Sequence, residues 1–275
     1  MYSDILLTVD FDRTLTAVDG SIPRRNIEAI EYFIAHGGRF TVNTGRSFVS
    51  FRPFLDTVPI NAPLLLMNGS GCWENGEFSD LVSLPMDVWP LVEQLQQKFP
   101  GTHLELQNLD KHYLIHPTED YARYYQQRGV DHVVADPQIH WGPFVKIGIY
   151  GDTEHREEGS DAVTKAALFD EIEAFLHEKL DDSLVVLRAT PQIINIHSKS
   201  ASKLTAARNL QKKLGKKYLV CVGDEGNDVA MLRGADYAFC PSDGAVAADF
   251  PNVCPCSQGA VADVIYEKIP EILKG

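Results

Sequence analysis

Apolar and polar positions follow two rhythms along this chain, and the change between them divides it. The first apolar run, Ile5 to Val9, is short and aliphatic, which reads as a buried strand ending where Asp10 opens a polar cluster. Ser21-Ile22-Pro23 then marks a helix start, Ile27, Ile30 and Ile34 recur at helical spacing, and Gly37-Gly38 ends the run. Arg39 to Asn43 reads as a second strand, followed at once by Thr44-Gly45-Arg46-Ser47 and a helix beginning near Phe48. A third strand, Pro63 to Met67, ends in the turn Asn68-Gly69-Ser70-Gly71. Strand, helix, strand is a βαβ unit, and its right-handed crossovers bring all strand C-termini to one edge of a parallel sheet. Asp10 and Thr44 therefore arrive at the same edge.

From about Ser83 the rhythm changes. Asp87 can cap a helix whose apolar positions are Val88, Leu91, Val92, Leu95 and Phe99, stopped by Pro100-Gly101. His103 to Gln107 and His112 to His116 alternate as a hairpin does, Thr118 to Arg128 is helical, and Val130 to Val134 and Phe144 to Tyr150 are strands. A long helix, Ser160 to Leu180, and two further strands, Leu184 to Arg188 and Gln192 to His197, complete the region. Such an order implies a largely antiparallel sheet with helices on one face. The expected organisation is an α/β core from residues 1–82 and 198–275, with an α+β domain inserted at 83–197.

The parallel rhythm then resumes. Ser200 or Ser202 can cap a helix carrying Leu204, Ala207 and Leu214 and ending at Gly215, which places Lys203 in the first turn. The helix dipole disfavours a cation there, so the position makes sense if the amine reaches an anion. Tyr218 to Val222 is another apolar strand, and it ends in the acidic loop Gly223-Asp224-Glu225-Gly226-Asn227-Asp228.

Composition narrows what such an edge can do. With 275 residues, 44% of them hydrophobic and 23% charged, the chain is long enough for two packed domains. A formal net charge of −13 argues against a nucleic-acid partner, which requires a basic surface to displace counterions. No apolar run has the length of a membrane span and the N-terminus lacks the regions of a signal peptide, so a cytoplasmic location is expected. Five cysteines, Cys72, Cys221, Cys240, Cys254 and Cys256, fit a reducing compartment and structural thiols. Nothing in the pattern reveals an oligomeric state.

Three carboxylates at one sheet edge, Asp10, Asp12 and Asp224, are hard oxygen ligands suited to Mg²⁺ shared with phosphate. The Thr44 hydroxyl, nearby backbone N–H groups and the Lys203 amine can surround a phosphoryl group. Asp10 is then available as a nucleophile, and a second carboxylic acid can protonate the leaving oxygen and later activate water.

These residues resemble the motifs of the haloacid-dehalogenase-like hydrolases, and within them the Cof-type phosphatases. Asp10-Phe11-Asp12 with Thr14-Leu15 is similar to the first motif, Thr44-Gly45-Arg46 to the second, Lys203 to the third, and Gly223-Asp224 with Asn227-Asp228 to the fourth. The resemblance implies a Rossmann-like core with an inserted cap, Mg²⁺ dependence, and a small phosphorylated substrate, a sugar phosphate or phosphorylated cofactor. It further implies that Asp10 is the nucleophile and Asp12 the acid and base. Thr44, Gly45, Lys203 and Asn227 would hold the phosphate. Asp10, the Asp12 carbonyl, Asp224 and Asp228 would form the metal site. One residue departs from the pattern: Arg13 stands where the family has glycine, and it must follow the strand with a Cβ in place. A phosphomutase of the same fold and a non-catalytic phosphate-binding protein are the alternatives. On the inserted domain His112, His116, Arg123 and Arg188 read as solvated residues, and Trp89 and Trp141 as packing residues.

Overall fold

The computed structural model describes residues 1–127, 129–136, 142–151 and 160–274, so Arg128 and Trp141 of the sequence reading lie outside the described residues. The chain divides into two compact units, one of residues 1–46, 51–80 and 201–275, the other of residues 47–50 and 81–200.

In the first unit β1 (Ile5–Val9), α1 (Arg24–Ala35) and β2 (Arg39–Val42) form the βαβ unit read from the sequence. The short α2 (Phe48–Phe51), clustered largely with the second unit, precedes β3 (Leu64–Leu66), which pairs antiparallel with β4 (Gly71–Glu74), itself paired with β5 (Glu77–Ser79). The β4–β5 hairpin was not anticipated, although Asn75-Gly76, both at positive φ, is a strong two-residue hairpin signal.

The second unit holds α3 (Trp89–Lys98), β6 (His103–Gln107), β7 (His112–Ile115), α4 (Glu119–Gln127), β8 (His132–Val134), β9 (Lys146–Tyr150), α5 (Ser160–Lys179), β10 (Leu184–Thr190) and β11 (Ile193–Ser198). Its six strands run in the order β10-β11-β9-β6-β7-β8, antiparallel except for the parallel β7–β8 pair. One face, carrying Leu104, Leu106, Ile147, Ile149, Ile194 and Ile196, packs against Leu95 of α3 and Phe169 and Ile172 of α5. The expectation of helices on one face only is corrected here. Tyr121 and Tyr125, one turn apart on α4, pack on Leu114, whose neighbours Tyr113 and Ile115 belong to the opposite face.

The chain returns to the first unit with α6 (Lys203–Lys213), β12 (Tyr218–Val222), α7 (Val229–Arg233), β13 (Tyr237–Pro241), β14 (Asn252–Val253), α8 (Ala260–Asp263) and α9 (Ile269–Ile272). The main sheet is parallel throughout, in the order β14-β13-β12-β1-β2. All five residues of β1 are fully buried, as a central strand covered on both faces must be. The chain moves from β1 to β2 on one side and from β12 to β13 on the other. That reversal opens a crevice between the C-terminal ends of β1 and β12.

Candidate active site

Both acidic loops sit at that crevice. The Asp10 N–H donates to the Val222 carbonyl at 2.9 Å, which fixes the residue at the strand end with its side chain nearly buried. Strand geometry stops there. Residues 11–15 form a turn interrupted at Asp12 and Arg13, and Arg13 takes φ 61°, the left-handed conformation that glycine would adopt without strain. Its N–H donates to Thr16 Oγ1 at 3.0 Å. The expectation of Asp10 and Asp12 side by side on one strand is thus corrected, because β1 ends at Val9 and the two carboxyls take different partners. Asp12 accepts from Arg46 twice, Nε to Oδ2 at 2.9 Å and Nη2 to Oδ1 at 2.6 Å.

Asp10 is bound instead by Lys203, whose Nζ lies 2.5 Å from its Oδ1 and 2.6 Å from Asp228 Oδ1. Lys203 opens α6 behind the N-cap Ser202 and is 2% exposed, so the misplaced cation of the sequence is held by two carboxylates. Asn43, at the end of β2, donates to the Lys203 carbonyl at 2.9 Å and ties the helix start to the sheet. Gly69 permits the close approach: it has φ 89°, and a Cβ there would lie 2.4 Å from the Ser202 carbonyl oxygen.

Asp228 uses its second oxygen to accept from the Asp224 and Glu225 N–H groups at 3.1 and 3.2 Å, folding the loop over itself. Asp224 Oδ1 accepts from Thr14 Oγ1 at 2.8 Å, while its buried Oδ2 has no hydrogen-bond partner among the described residues. One carboxylate oxygen each of Asp10, Asp224 and Asp228 lies within 4.8 Å of the others. Three buried carboxylates this close, one of them with an oxygen lacking a partner among the described residues, suit a hard cation. The Asp12 carboxylate is outside this trio, contrary to the sequence reading that grouped it with Asp10 and Asp224.

The charge balance of the cluster suits a hard cation. Three carboxylates face one ammonium. Two acids hold Lys203 in its protonated form although burial opposes it. Burial pushes the Asp10 carboxyl up to about 8 against the pull of Lys203, with Asp228 and Asp224 adding to the rise. Burial likewise raises Asp224 to about 6, despite the Thr14 hydrogen bond. In the absence of a metal the cluster therefore retains protons that a divalent ion would displace.

Of the phosphate-binding candidates, Gly45 and Asn227 line the cleft beside Asp10, while Thr44 and Lys203 are buried next to it. Thr44 is fully buried and its Oγ1 accepts from the Arg46 N–H at 3.0 Å, leaving the hydroxyl proton to donate. Asn227 donates to Asn68 Oδ1 at 3.3 Å, and Asn68 holds a left-handed φ of 57° beside Gly45. A cleft of about 250 Å³ is lined by Asp10, Asp12, Gly45, Arg46, Asp224 and Asn227. The structure thus gathers Asp10, Asp12, Thr44, Gly45, Lys203, Asp224, Asn227 and Asp228 at one edge. Thr14, Asn43, Arg46 and Asn68 are supporting residues whose contacts the sequence did not reveal, since their partners lie 34 to 210 positions away.

Within the second unit, His112 is buried rather than solvated. Its Nδ1 lies 2.8 Å from Oε1 of the fully buried Glu105, and its Nε2 lies 2.7 Å from Ser47 Oγ. Burial opposes ionisation of Glu105, yet His112, Lys146 and the Tyr125 hydroxyl hold it below the usual carboxylate range. Arg188 is likewise occupied, stacked 5.3 Å over Phe169 and paired with Glu173 at 3.3 Å. Arg123 pairs with Asp120 on the surface, His116 is exposed, and Trp89 packs edge-on to Phe144.

The geometry has counterparts among known proteins. A haloacid dehalogenase-like hydrolase from Bacteroides thetaiotaomicron superposes with a TM-score of 0.80 at 20% identity, covering 98% of this chain and 100% of that one. One from B. subtilis gives 0.73 at 16%, covering 95% and 99%. A subclass IIB sugar phosphatase of the same superfamily gives 0.72 at 18%, covering 97% and 99%. At these identities the likeness is one of fold. The sequence itself carries the assignment further, since the profile of the haloacid dehalogenase-like hydrolases matches residues 7–248, and the chain belongs to that family.

Proposed function

We propose that the protein is a Mg²⁺-dependent phosphatase that hydrolyses the phosphate monoester of a small metabolite, a sugar phosphate or phosphorylated cofactor, through a phosphoryl group carried on Asp10. The observation that carries this reading is the junction at the end of β1. There Asp10 and Asp224, the latter with an unpaired Oδ2 among the described residues, line one cleft, and the buried Lys203 ammonium stands 2.5 Å behind Asp10. Phosphoryl transfer needs positioning and charge neutralisation more than elaborate bond chemistry, and this junction supplies both.

An Asp10 oxygen attacks phosphorus, and the ester P–O bond breaks with its electron pair on the leaving oxygen, which takes a proton from Asp12. Water then gives a proton to Asp12 as its oxygen attacks phosphorus, and the bond to Asp10 breaks to release inorganic phosphate. Lys203, the Thr44 hydroxyl, the Gly45 N–H and the Asn227 amide bind the phosphoryl oxygens. Asp10, Asp224 and the Asp12 carbonyl would hold Mg²⁺, which when bound neutralises phosphoryl charge. Asp228, whose oxygens accept from Lys203 and from the loop N–H groups, would support the metal shell beside Asp10 and Asp224. The inserted unit, at residues 83–197 as read from the sequence, selects the leaving group.

The test is phosphate release from a panel of phosphorylated metabolites, with Mg²⁺ and with chelator. Wild type should release phosphate only with the metal. Asp10→Asn should fall by at least about 10³-fold, the scale on which removing a nucleophile leaves only binding and electrostatics, with an unchanged circular dichroism spectrum. Activity surviving that substitution refutes the covalent scheme. Transfer of phosphate within the substrate without release would identify a mutase.

A further inference from the structure

Asp12 has an unusual setting for a general acid and base. Its side chain is 52% exposed, and on a turn of its own it would sample several rotamers. Proton transfer tolerates little of that, since the acid must stand within hydrogen-bond reach of the leaving oxygen. We propose that Arg46 is the positioning residue for Asp12, and that its guanidinium aims the carboxyl in the step that expels the leaving group. The inference rests on the phosphatase reading and adds a residue to which nothing above gives a part in the reaction.

Three observations converge on it. Nε and Nη2 of Arg46 engage the two oxygens of Asp12 separately, at 2.9 and 2.6 Å, so the fork fixes the carboxylate plane as well as its position. The guanidinium is itself fixed, lying 4.9 Å from the Phe11 ring centroid and 5.3 Å from that of Phe54. Those two rings meet edge to face at 4.7 Å, and Phe11 also contacts Phe51 at 5.0 Å, so the support is part of the packed core. Finally, the Arg46 backbone is anchored at both ends. Its N–H donates to Thr44 Oγ1 and its carbonyl accepts from the Met67 N–H at 3.1 Å. A bidentate fork adds geometric specificity beyond its energy, and here it sets the direction of the Asp12 carboxyl.

The chemistry supplies a selective readout. Expulsion of an alkoxide requires a proton from Asp12, whereas p-nitrophenolate leaves without one. The ratio kcat/KM reports only steps through the first irreversible one, the transfer to Asp10, so the later water step does not blur the comparison. The experiment compares kcat/KM of the full chain with Mg²⁺ on p-nitrophenyl phosphate and on the best alkyl phosphate of the panel. The proteins are wild type, Arg46→Met, Arg46→Lys, Asp12→Asn and the double variant Arg46→Met/Asp12→Asn.

For Arg46→Met a loss of about 10²-fold is expected on the alkyl phosphate, the lower end of what a positioned general acid contributes, and a loss at least tenfold smaller on p-nitrophenyl phosphate. Arg46→Lys, which keeps charge but not the fork, should recover only part of the alkyl activity. In the Asp12→Asn background the Arg46→Met change should cost nothing further on the alkyl phosphate, since the two residues act as one unit. Equal losses on both substrates, additive losses in the double variant, or full rescue by lysine would each overturn the proposal. If Arg46→Met fails to fold, Phe54→Leu, which removes one stacking ring and leaves the charge, must show the same leaving-group split at smaller size. Absence of that split overturns it equally. Wild type inactive on both esters would instead defeat the phosphatase reading.

Discussion

Arg13 shows how a residue can break a family's pattern without breaking the site. At φ 61° it occupies a conformation that costs an L-residue about 1–2 kcal/mol relative to glycine, while glycine there would cost the unfolded chain's entropy, about 0.5–1 kcal/mol. Arg13→Gly should therefore stabilise the protein by up to about 1 kcal/mol, the difference of those two effects, measured by urea denaturation with an unchanged slope. A clear loss of stability would mean that the arginine side chain holds the loop. The sequence exposed Asp10, Lys203 and Asp224 because each is costly in place, an acid closing an apolar strand or a lysine opening a helix. It did not expose the contacts that Thr14, Asn43 and Asn68 make. Each is an ordinary polar residue at a strand or turn end, and its meaning lies in a partner brought close only by the fold.

At the scale of elements, the turn after β3 and the start of α6 depend on each other. A methyl at Gly69 would meet the Ser202 carbonyl at 2.4 Å with φ at 89°, so Gly69→Ala combines backbone strain with overpacking and should destabilise by about 2–4 kcal/mol. Relief that moves the start of α6 carries Lys203 away from Asp10, and turnover should then fall as well. Gly215→Ala is the control. It too has positive φ, 61°, but faces open space at the other end of α6. That change should lower stability by about 1 kcal/mol through strain alone and leave turnover intact; equal effects on turnover would show that the glycine contact does not place Lys203. Both ends of this helix were legible, from Ser200 or Ser202 at its start and Gly215 at its end, and so were β1, β2, β12 and the alternation of β6 with β7. The β4–β5 hairpin and the closing β14, α8 and α9 were not. These elements are only two to four residues long and show too little period to read as strand or helix, so for β4–β5 the Asn75-Gly76 turn was the one available signal.

For the molecule as a whole, the parallel order made the site predictable, because a sheet whose strand order reverses between β1 and β12 must bring their following loops together. That convergence also stores a pH dependence. Asp10, pushed to about 8, and Asp224, pushed to about 6, both start from 3.8 in the unfolded chain. Between those limits the folded, metal-free protein binds more protons than the unfolded one. The free energy of unfolding therefore falls as pH rises, by up to about 1.4 kcal/mol per pH unit for each group still titrating. The stabilisation is complete below about pH 4 and is lost through pH 8. Glu105 acts in the opposite sense, since its depressed pKa costs stability only as acid approaches the ordinary carboxylate range. On the proposed reading Mg²⁺ would replace the protons on the cluster, so its stabilising effect should grow as they leave. In thermal melts with chelator, the contribution of this cluster lowers Tm from pH 6 to pH 8. Saturating Mg²⁺ should raise Tm more at pH 8 than at pH 6, with proton release on binding detectable in weakly buffered solution. A Tm increment from Mg²⁺ that is equal or larger at pH 6 would show that the ion does not bind where these carboxyls hold their protons.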